Sequence, residues 1–384
     1  MKYTALRDVC EINMGQSPDS SSYNEEGRGI PFFQGNADFG ERNPVTRVWC
    51  DAPSKIANAN DILISVRAPI GAVNYAAETC CIGRGLAAIT PDLNRVSSEY
   101  IFWLLIGKNA ELNSKGTGST FKAINRRALE EIQVPDVSLK EQAAYAANLE
   151  TAYKIIQMRK QQLSTLDDLI KARFVEMFGD PEINTMGWPI RTLDTLLSVE
   201  PQNGLYKPQS DYVIDGSGIP ILRIDAFYDG KVTSFLGLKR LQCSEAERNR
   251  YLLKENDIVI NRVNSIEYLG KCAWITEMTE PTVFESNMMR FHADETEIDP
   301  CYLTRFLCSS FIYKQILNRA KKAVNQASIN QRDVQSFRIM VPPLILQKQF
   351  AAFVAQIDKS KSVIQRSLAE TQTLFDSLMQ QYFG

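Results

Sequence analysis

Two long stretches of the chain contain neither glycine nor proline and carry apolar residues every seven positions. The first runs from Leu139 to Phe178, the second runs from Leu344 to Phe383, and a glycine follows each terminal phenylalanine. In the first stretch the repeated apolar residues are Leu149, Ile156, Leu163, Ile170 and Met177, with a second row at Tyr153, Leu166 and Phe174. In the second stretch they are Phe350, Ile357, Ile364 and Leu378, beside Val354, Leu368, Phe375 and Tyr382. This spacing predicts two helices of coiled-coil type, each about 60 Å long.

A single amphipathic helix of this length cannot bury its apolar stripe alone. Because one chain carries two such helices, we expect them to pair with each other. The alternative is that each stripe binds another protein. Lys361 and Thr371 interrupt the second stripe.

The rest of the chain is an imperfect duplication in which short strings recur in the same order. The pairs are GIPFFQGNAD and GIPILRIDAF, NDILISVRAPIG and NDIVINRVNSIEYLG, YIFWLL and YLTRFL, and INRRAL and INQRDV. DILISV, DIVINRV and GLAAITP have the composition of strands, and SSEYIFWLLIGKNAELN that of a helix. The predicted domains are a mixed α/β domain over 1–136, a helix over 137–179, a second α/β domain over 180–342 and a helix over 343–384.

The composition is that of a folded protein, with 384 residues and a net charge of −2. A predicted pI of about 5.8 argues weakly against a dedicated nucleic-acid binder, although local basic patches remain compatible with one. The first residues show no secretory signal and the apolar runs are too short to span a bilayer. We therefore expect a cytoplasmic protein that does not enter a membrane.

Motifs for common catalytic chemistry are absent from the sequence. It has no G-x-x-x-x-G-K-[ST] loop, no H-E-x-x-H pair and no NPPY-type motif of an amino-methyltransferase. The one histidine, His292, is expected to be structural. The eight cysteines form no C-x-x-C pair, so we expect no metal site and mostly buried, reduced thiols.

Two basic stretches occupy equivalent positions in the two halves. Neither 112–129 nor 311–332 contains an acidic residue, and both mix lysine and arginine with Ser, Thr, Asn and Gln. Such a mixture suits contacts to DNA phosphates and base edges. An ordinary solvated surface is the alternative.

The chain resembles the specificity (S) subunits of type I restriction–modification enzymes over essentially its whole length. The strings that carry the resemblance are KGTGSTFKAINRRALEEIQVP, NDILISVRAPIGAVN, CIGRGLAAITP, QASINQRDVQSFRIMVPPLILQKQ, ARFVEMFGDP and MQQYFG. The second half departs more from the family pattern, because NRVNSIEYLG stands where the first half has SVRAPIG.

The resemblance implies an α+β fold with two tandem mixed α/β target recognition domains, each followed by a long helix. The two helices would pair as an antiparallel coiled coil. Each domain would read one half of a bipartite, asymmetric double-stranded DNA target, and the helices would set the spacing. The partners implied are two methyltransferase (M) subunits and restriction (R) subunits.

The chain itself would be non-catalytic and hold no cofactor, with S-adenosylmethionine, ATP and Mg on the partner subunits. A coiled-coil protein-interaction scaffold without DNA binding is the alternative, and an unusual nuclease or methyltransferase is a weaker one. The candidate DNA-binding residues are polar loop residues, mostly after strands. They are Gln34, Asn36, Arg67, Arg84, Lys115, Thr117, Ser119 and Lys122 in the first half, and Arg223, Arg262, Asn264, Lys321, Lys322, Asn325 and Gln326 in the second.

Overall fold

The structure, a computed structural model, describes residues 2–117 and 122–384. The chain forms two compact units. Unit 1 consists of Met1–Leu163 with Val363–Gly384, and unit 2 of Ser164–Ser362. Each unit therefore contains one α/β domain and a segment of each long helix.

The first α/β domain and the first long helix contain the following elements. The strands are β1 Tyr3–Ala5, β2 Cys10–Met14, β3 Tyr23–Asn24, β4 Ile30–Phe33, β5 Trp49–Cys50, β6 Ile56–Ala57, β7 Ile62–Ser65, β8 Val73–Tyr75, β9 Cys80–Ile82, β10 Leu86–Pro91 and β11 Gln133–Pro135. The helices are α1 Leu6–Val9, α2 Ser98–Gly107, α3 Asn109–Ser114, α4 Arg126–Glu130 and α5 Leu139–Phe178. The run predicted as one helix is thus two, because the backbone at Lys108 leaves the helical region.

Two sheets form the frame of unit 1. One is antiparallel with the order β2-β10-β7-β8, and its buried face packs on α2. The other has the order β3-β5-β4-β9-β6, in which β4 and β9 run parallel. Short strands β1 and β11 pair at the junction with α5.

The second α/β domain and the second long helix contain these elements. The strands are β12 Ile190–Thr192, β13 Leu197–Asn203, β14 Tyr212–Val213, β15 Ile219–Leu222, β16 Phe227–Tyr228, β17 Gly230–Val232, β18 Arg240–Leu241, β19 Asp257–Asn261, β20 Val263–Asn264, β21 Cys272–Trp274, β22 Val283–Phe284, β23 Met288–Ala293, β24 Lys321–Lys322, β25 Ala327–Ser328 and β26 Arg338–Met340. The helices are α6 Glu245–Tyr251, α7 Pro300–Leu307, α8 Ser310–Arg319, α9 Gln331–Gln335 and α10 Leu344–Phe383.

Unit 2 repeats the frame of unit 1 and extends it. The order β13-β23-β19-β21 corresponds to β2-β10-β7-β8, and β17 and β16 are added at its edge. The order β14-β18-β15-β22 corresponds to the second sheet, with β15 parallel to β22. The pair β12–β26 corresponds to β1–β11.

The two long helices contact each other in both units, as the repeated apolar rows predict. In unit 1, Tyr145 near the start of α5 stacks on Tyr382 near the end of α10, with ring centroids 3.9 Å apart. In unit 2, Phe174 near the end of α5 lies 5.5 Å from Phe350 near the start of α10. The helices therefore run in opposite directions, which confirms the predicted antiparallel pairing. Lys361, which interrupts the stripe, forms an ion pair with Asp167.

The repeated INRRAL and INQRDV strings each contain an asparagine that caps the N-terminus of a short helix. Asn125 Oδ1 accepts a hydrogen bond from Ala128 N at 3.0 Å and begins α4. Asn330 Oδ1 does the same for Asp333 N at 3.0 Å and begins α9. Asparagine is favoured at this position because its side chain satisfies an otherwise unpaired backbone N–H. The string recurs because each α/β domain has the same short helix before its last strand: α4 before β11, and α9 before β26.

A buried glutamine near the start of each long helix joins that helix to the α/β domain. Gln142 Oε1 accepts from Ser97 N at 2.8 Å, and Nε2 donates to Arg95 O at 3.1 Å and Val137 O at 3.0 Å. In unit 2, Gln347 Oε1 accepts from Asp299 N at 2.8 Å and Nε2 donates to Pro342 O at 2.7 Å. Each glutamine therefore accepts a hydrogen bond from the residue that caps the next helix after the large sheet, Ser97 before α2 and Asp299 before α7.

The aspartate of the repeated NDI string is buried in both units. Asp61 Oδ2 accepts from Asn58 N at 2.7 Å, and Asp257 Oδ2 accepts from Lys254 N at 2.8 Å. Asp257 also pairs with Arg290, and its Oδ1 lies 3.0 Å from Nδ1 of His292. This arrangement supports a structural role for the histidine.

The eight cysteines are free thiols, and six of them are buried, as predicted. Among the residues that the structure describes, no helix combines the length and apolar character needed to cross a membrane.

Candidate nucleic-acid interface

In both units a strand begins within the NDI string: β7 in unit 1 and β19 in unit 2. The segment that follows this strand pairs with the basic stretch of the same unit. In unit 1, Arg67 follows β7 and forms an antiparallel bridge to Ala123, which is also bridged to Thr117. In unit 2, β20 follows β19 and pairs with β25, which pairs with β24. The duplicated backbone frame brings together two groups of predicted residues that are distant in the sequence.

Four predicted residues from three separate parts of unit 1 line one cleft of about 340 Å³. They are Gln34, Asn36, Arg67 and Arg84. Gln34 follows β4 and Arg84 follows β9, and these parallel strands end at the same edge of their sheet. A Cβ on Gly85 would lie 2.2 Å from Gln34 O, so this close approach requires glycine.

The cleft is lined by cations that have no described acidic partner. Arg67 and Arg84 are exposed, and no carboxylate of residues 2–117 or 122–384 lies within ion-pair distance of either. The one acid in the cleft, Asp38, has its Oδ2 engaged by Gln34 N at 2.8 Å and Gly35 N at 3.3 Å. The cleft can therefore accept an anionic ligand such as a phosphate.

The other candidate residues of unit 1 differ in whether their side chains are free to bind DNA. Lys122 is exposed and, within the described part of the chain, forms no ion pair, whereas Lys115 Nζ lies 2.6 Å from Glu111 Oε1. Thr117 is exposed and uses its backbone in the bridge to Ala123. Ser119 lies outside the described residues.

In unit 2, Arg223 occupies the place after β15 that Gln34 occupies after β4, but acidic residues surround it. Its guanidinium lies 3.6 Å from Glu285 Oε1 and 3.9 Å from Asp225 Oδ1. Burial raises the pKa of the Glu285 carboxyl, and Arg223 acts in the opposite direction. Arg223 is thus largely neutralised in the free protein, which weakens its attraction for phosphate.

The side chains of Arg262 and Asn264 form hydrogen bonds with backbone groups of unit 2. Arg262 Nη1 donates to Ser286 O at 3.1 Å, and its own carbonyl accepts from Ile329 N at 3.0 Å. Asn264 Oδ1 accepts from Ser265 N at 2.8 Å. Both side chains are half-buried, so each has a structural contact and remains accessible.

The remaining four candidates lie on one β-hairpin, residues 321–328, which we call the basic hairpin. Lys321 and Lys322 form its first strand, and Asn325 and Gln326 lie in its turn. All four are exposed, and neither lysine has a carboxylate within ion-pair distance among the residues described. The basic hairpin is therefore the least neutralised cationic surface of the candidate set in unit 2.

The arginines at the start of α4 are paired within their own helix. Arg126 Nε lies 2.7 Å from Glu130 Oε1, and Arg127 Nε lies 2.6 Å from Glu131 Oε1. The hydrogen bond to Glu131 raises the pKa of Arg127 and lowers that of Glu131. These exposed pairs reduce the positive charge that the INRRAL string suggests.

Sequence reasoning missed a lysine held between two exposed aromatic rings. Lys271 Nζ lies 3.8 Å from the ring centroid of Tyr228 and 4.0 Å from that of Tyr268. Burial lowers the pKa of Lys271, while Asp229 acts in the opposite direction. Tyr228 comes from the added strand β16, so no local sequence pattern could have revealed the cluster. The described residues contain no group of three or more His, Cys, Asp or Glu placed to hold a metal ion.

Comparisons with known proteins agree with this duplicated frame. The profile of the type I restriction modification DNA specificity domain matches residues 1–167 and 186–371. The putative type I restriction enzyme MjaX specificity subunit of Methanocaldococcus jannaschii is 41% identical over 157 residues, which are 41% of this chain and 37% of that protein. The EcoKI specificity subunit of Escherichia coli (strain K12) is 24% identical over 291 residues, 71% of this chain and 61% of that protein. The chain thus spans less than two thirds of the length of both relatives.

The similarity to a solved S-subunit structure extends over the whole chain. The type I restriction–modification S subunit from M. genitalium has a TM-score of 0.62 at 15% identity, covering 100% of this chain and 96% of that one. At this identity the similarity is one of fold, and it supports the tandem α+β architecture. Since the profile matches both halves, the chain belongs to the family of type I restriction–modification DNA specificity proteins.

Proposed function

We propose that this chain is the non-catalytic subunit that selects the DNA sequence for a type I restriction–modification complex. Each α/β domain reads one half of a bipartite, asymmetric target in double-stranded DNA. The paired helices set the distance between the two half-sites. The proposed recognition domains are residues 1–136 and 180–342, and the proposed spacer helices are 137–179 and 343–384.

The observation that carries this proposal is the repeated pairing of a strand end with a basic stretch. Arg67 meets Ala123 in unit 1, and Asn264 meets Ala327 in unit 2. The backbone frame is the same, but the side chains it presents differ. Unit 1 has a cleft whose two arginines lie near no carboxylate of the described residues, and unit 2 has the basic hairpin. A repeated frame with different surface residues is what two different half-sites require, because base edges are read by side chains.

The catalytic chemistry belongs, in this proposal, to partner subunits. Two M subunits bind S-adenosylmethionine and methylate adenine, and R subunits use ATP and Mg to cleave unmethylated DNA. The long helices are the proposed docking site for the M subunits. Exposed apolar side chains on both helices, among them Met158, Val175, Val363 and Leu374, support a partner on their outer surfaces.

Co-expression with the cognate M subunit tests the proposal. We expect methylated adenine to appear in one bipartite motif of the host DNA, as read by single-molecule sequencing. Replacing residues 1–136 with the corresponding domain of another specificity protein should change one half of the motif and leave the other half unchanged.

Three outcomes of this experiment would count against the proposal. Absence of any new methylated motif would contradict DNA selection and favour an interaction scaffold. A continuous motif without a spacer would contradict two separate reading domains. A domain exchange that altered both half-sites would contradict the assignment of one domain to each half.

A further inference from the structure

The turn of the basic hairpin presents an apolar side chain to solvent. Ala323 N donates to Gln326 O at 2.7 Å, which closes a turn with Val324 and Asn325 at its tip. Val324 is 99% exposed. Hairpin tips usually carry glycine, asparagine or aspartate, so a β-branched valine there does not serve the turn. Its methyl groups are available to a partner.

The two lysines of the basic hairpin place one positive charge on each face of the β-ribbon. Successive residues of a strand point to opposite faces, so Lys321 and Lys322 lie on opposite sides of the ribbon. Both are exposed and unpaired within the described residues. A DNA groove has a phosphate strand along each edge. A ribbon with one cation on each face therefore matches a groove better than a flat anionic surface.

The major groove is the groove that fits this ribbon. It is wide enough for a two-stranded β-ribbon, whereas the minor groove is about half as wide. Asparagine and glutamine amides bond the adenine edge in this groove, and apolar side chains contact the thymine methyl group. Val324 and Asn325, adjacent at the tip, offer both kinds of contact to one A·T base pair.

We propose that the basic hairpin enters the major groove of the second half-site and reads an A·T base pair. Val324 packs on the 5-methyl group of the thymine, Asn325 bonds the adenine, and the two lysines contact opposite phosphate strands. This inference rests on the proposed function and adds to it a base pair and the residues that read it.

The test uses the complex with the M subunit and a duplex carrying its methylated motif. Each thymine of the second half-site is replaced in turn by deoxyuridine, which lacks only the methyl group, and binding is measured by fluorescence anisotropy at fixed salt. One replacement should weaken wild-type binding about fourfold, the effect of one buried methyl group. Val324→Ala should bind the thymine duplex less tightly and lose discrimination at that position alone.

Matched variants separate this contact from general effects. Ile214→Ala removes another fully exposed apolar side chain of unit 2 and should leave the thymine-to-uracil ratio unchanged. Thymines of the first half-site should respond equally in wild type and Val324→Ala. Lys321→Ala and Lys322→Ala should each make the negative slope of log K against log salt less steep by about 0.9.

The possible failures are distinguishable. If the wild-type complex selected no sequence, the proposed function would fail, and this inference with it. If it bound its motif but no thymine responded, or Val324→Ala kept full discrimination, the inference alone would be wrong. An effect of only one lysine on the salt slope would overturn insertion between two phosphate strands.

Discussion

The two buried glutamines allow a sharp test of how the long helices are joined to the α/β domains. Gln142 is 2% exposed and Gln347 is 0% exposed. Leucine at either position keeps a similar volume but cannot form the hydrogen bonds to the backbone. The substitutions Gln142→Leu and Gln347→Leu therefore probe the same joint in unit 1 and unit 2.

The number of lost bonds sets the expected effect. Gln142 forms three hydrogen bonds to backbone groups and Gln347 forms two. At about 1 kcal/mol net for each bond, the losses are about 3 and about 2 kcal/mol. These correspond to about 150-fold and about 30-fold in the unfolding equilibrium.

Hydrogen exchange read by mass spectrometry measures both values in the intact chain. Amides in the core of a unit exchange when that unit opens, so their rates should rise by these factors. Gln142→Leu should act most on peptides of unit 1, and Gln347→Leu most on those of unit 2. The control is Gln349→Leu, because Gln349 is exposed and lies in α10, the helix that contains Gln347. This substitution should change the exchange rates by no more than about twofold.

Two results would refute the reasoning. An acceleration of less than about threefold for both leucine variants would mean that the glutamines do not contribute as their bonds suggest. An equal effect of Gln349→Leu would mean that the glutamine-to-leucine change acts through something other than the buried hydrogen bonds.

Three further predictions concern pH, thiols and spacing. Because burial raises the pKa of Glu285 above its ordinary value of 4.5, the folded state binds this proton more tightly than the unfolded state. Its contribution to the free energy of unfolding is thus present below pH 4.5 and lost as the pH rises through the raised pKa. Urea unfolding of wild type and Glu285→Gln should diverge in that window, and a constant difference would contradict it. Cys308 is exposed and its Sγ lies 3.6 Å from that of buried Cys272, so peroxide should join these two thiols, with Cys308→Ser as the unreactive control; a mass spectrum without this link would refute the prediction. One heptad inserted into each long helix keeps the stripes in phase and adds about 10 Å, about three base-pair steps, to the proposed spacer. Methylome sequencing should show a longer spacer with unchanged half-sites, and changed half-sites with a constant spacer would contradict the ruler.

The frame could be predicted from the sequence because its signals are periodic or repeated. The apolar rows led to α5 and α10, and the recurring strings led to the two related domains. The capping role of Asn125 and Asn330 lies within a local pattern and was open to prediction. The burial of Gln142 and Gln347 was not, because their partners are distant residues of the α/β domains.

The candidate interface was less accessible for the same reason. Sequence placed Arg67 and Arg84 on separate loops. The antiparallel pairing of β7 with β10, extended by the hydrogen bond from Val66 N to Gly85 O at 2.9 Å, brings them into one cleft. Arg223 has the composition of a phosphate-binding residue, but Glu285, far along the chain, lies beside it. Charge balance at a surface depends on pairs that form only after folding.

The division into units has a consequence for synthesis on the ribosome. Unit 2 is one continuous segment, whereas unit 1 needs residues 363–384, which are made after all of unit 2. Tyr382 and Phe383 are buried in the same core as Tyr100 and Trp103. At roughly 5–20 residues per second, the first domain waits on the order of ten to forty seconds for these side chains. During that time its apolar surface is incompletely covered, so the unit whose synthesis starts earlier of the two is completed later.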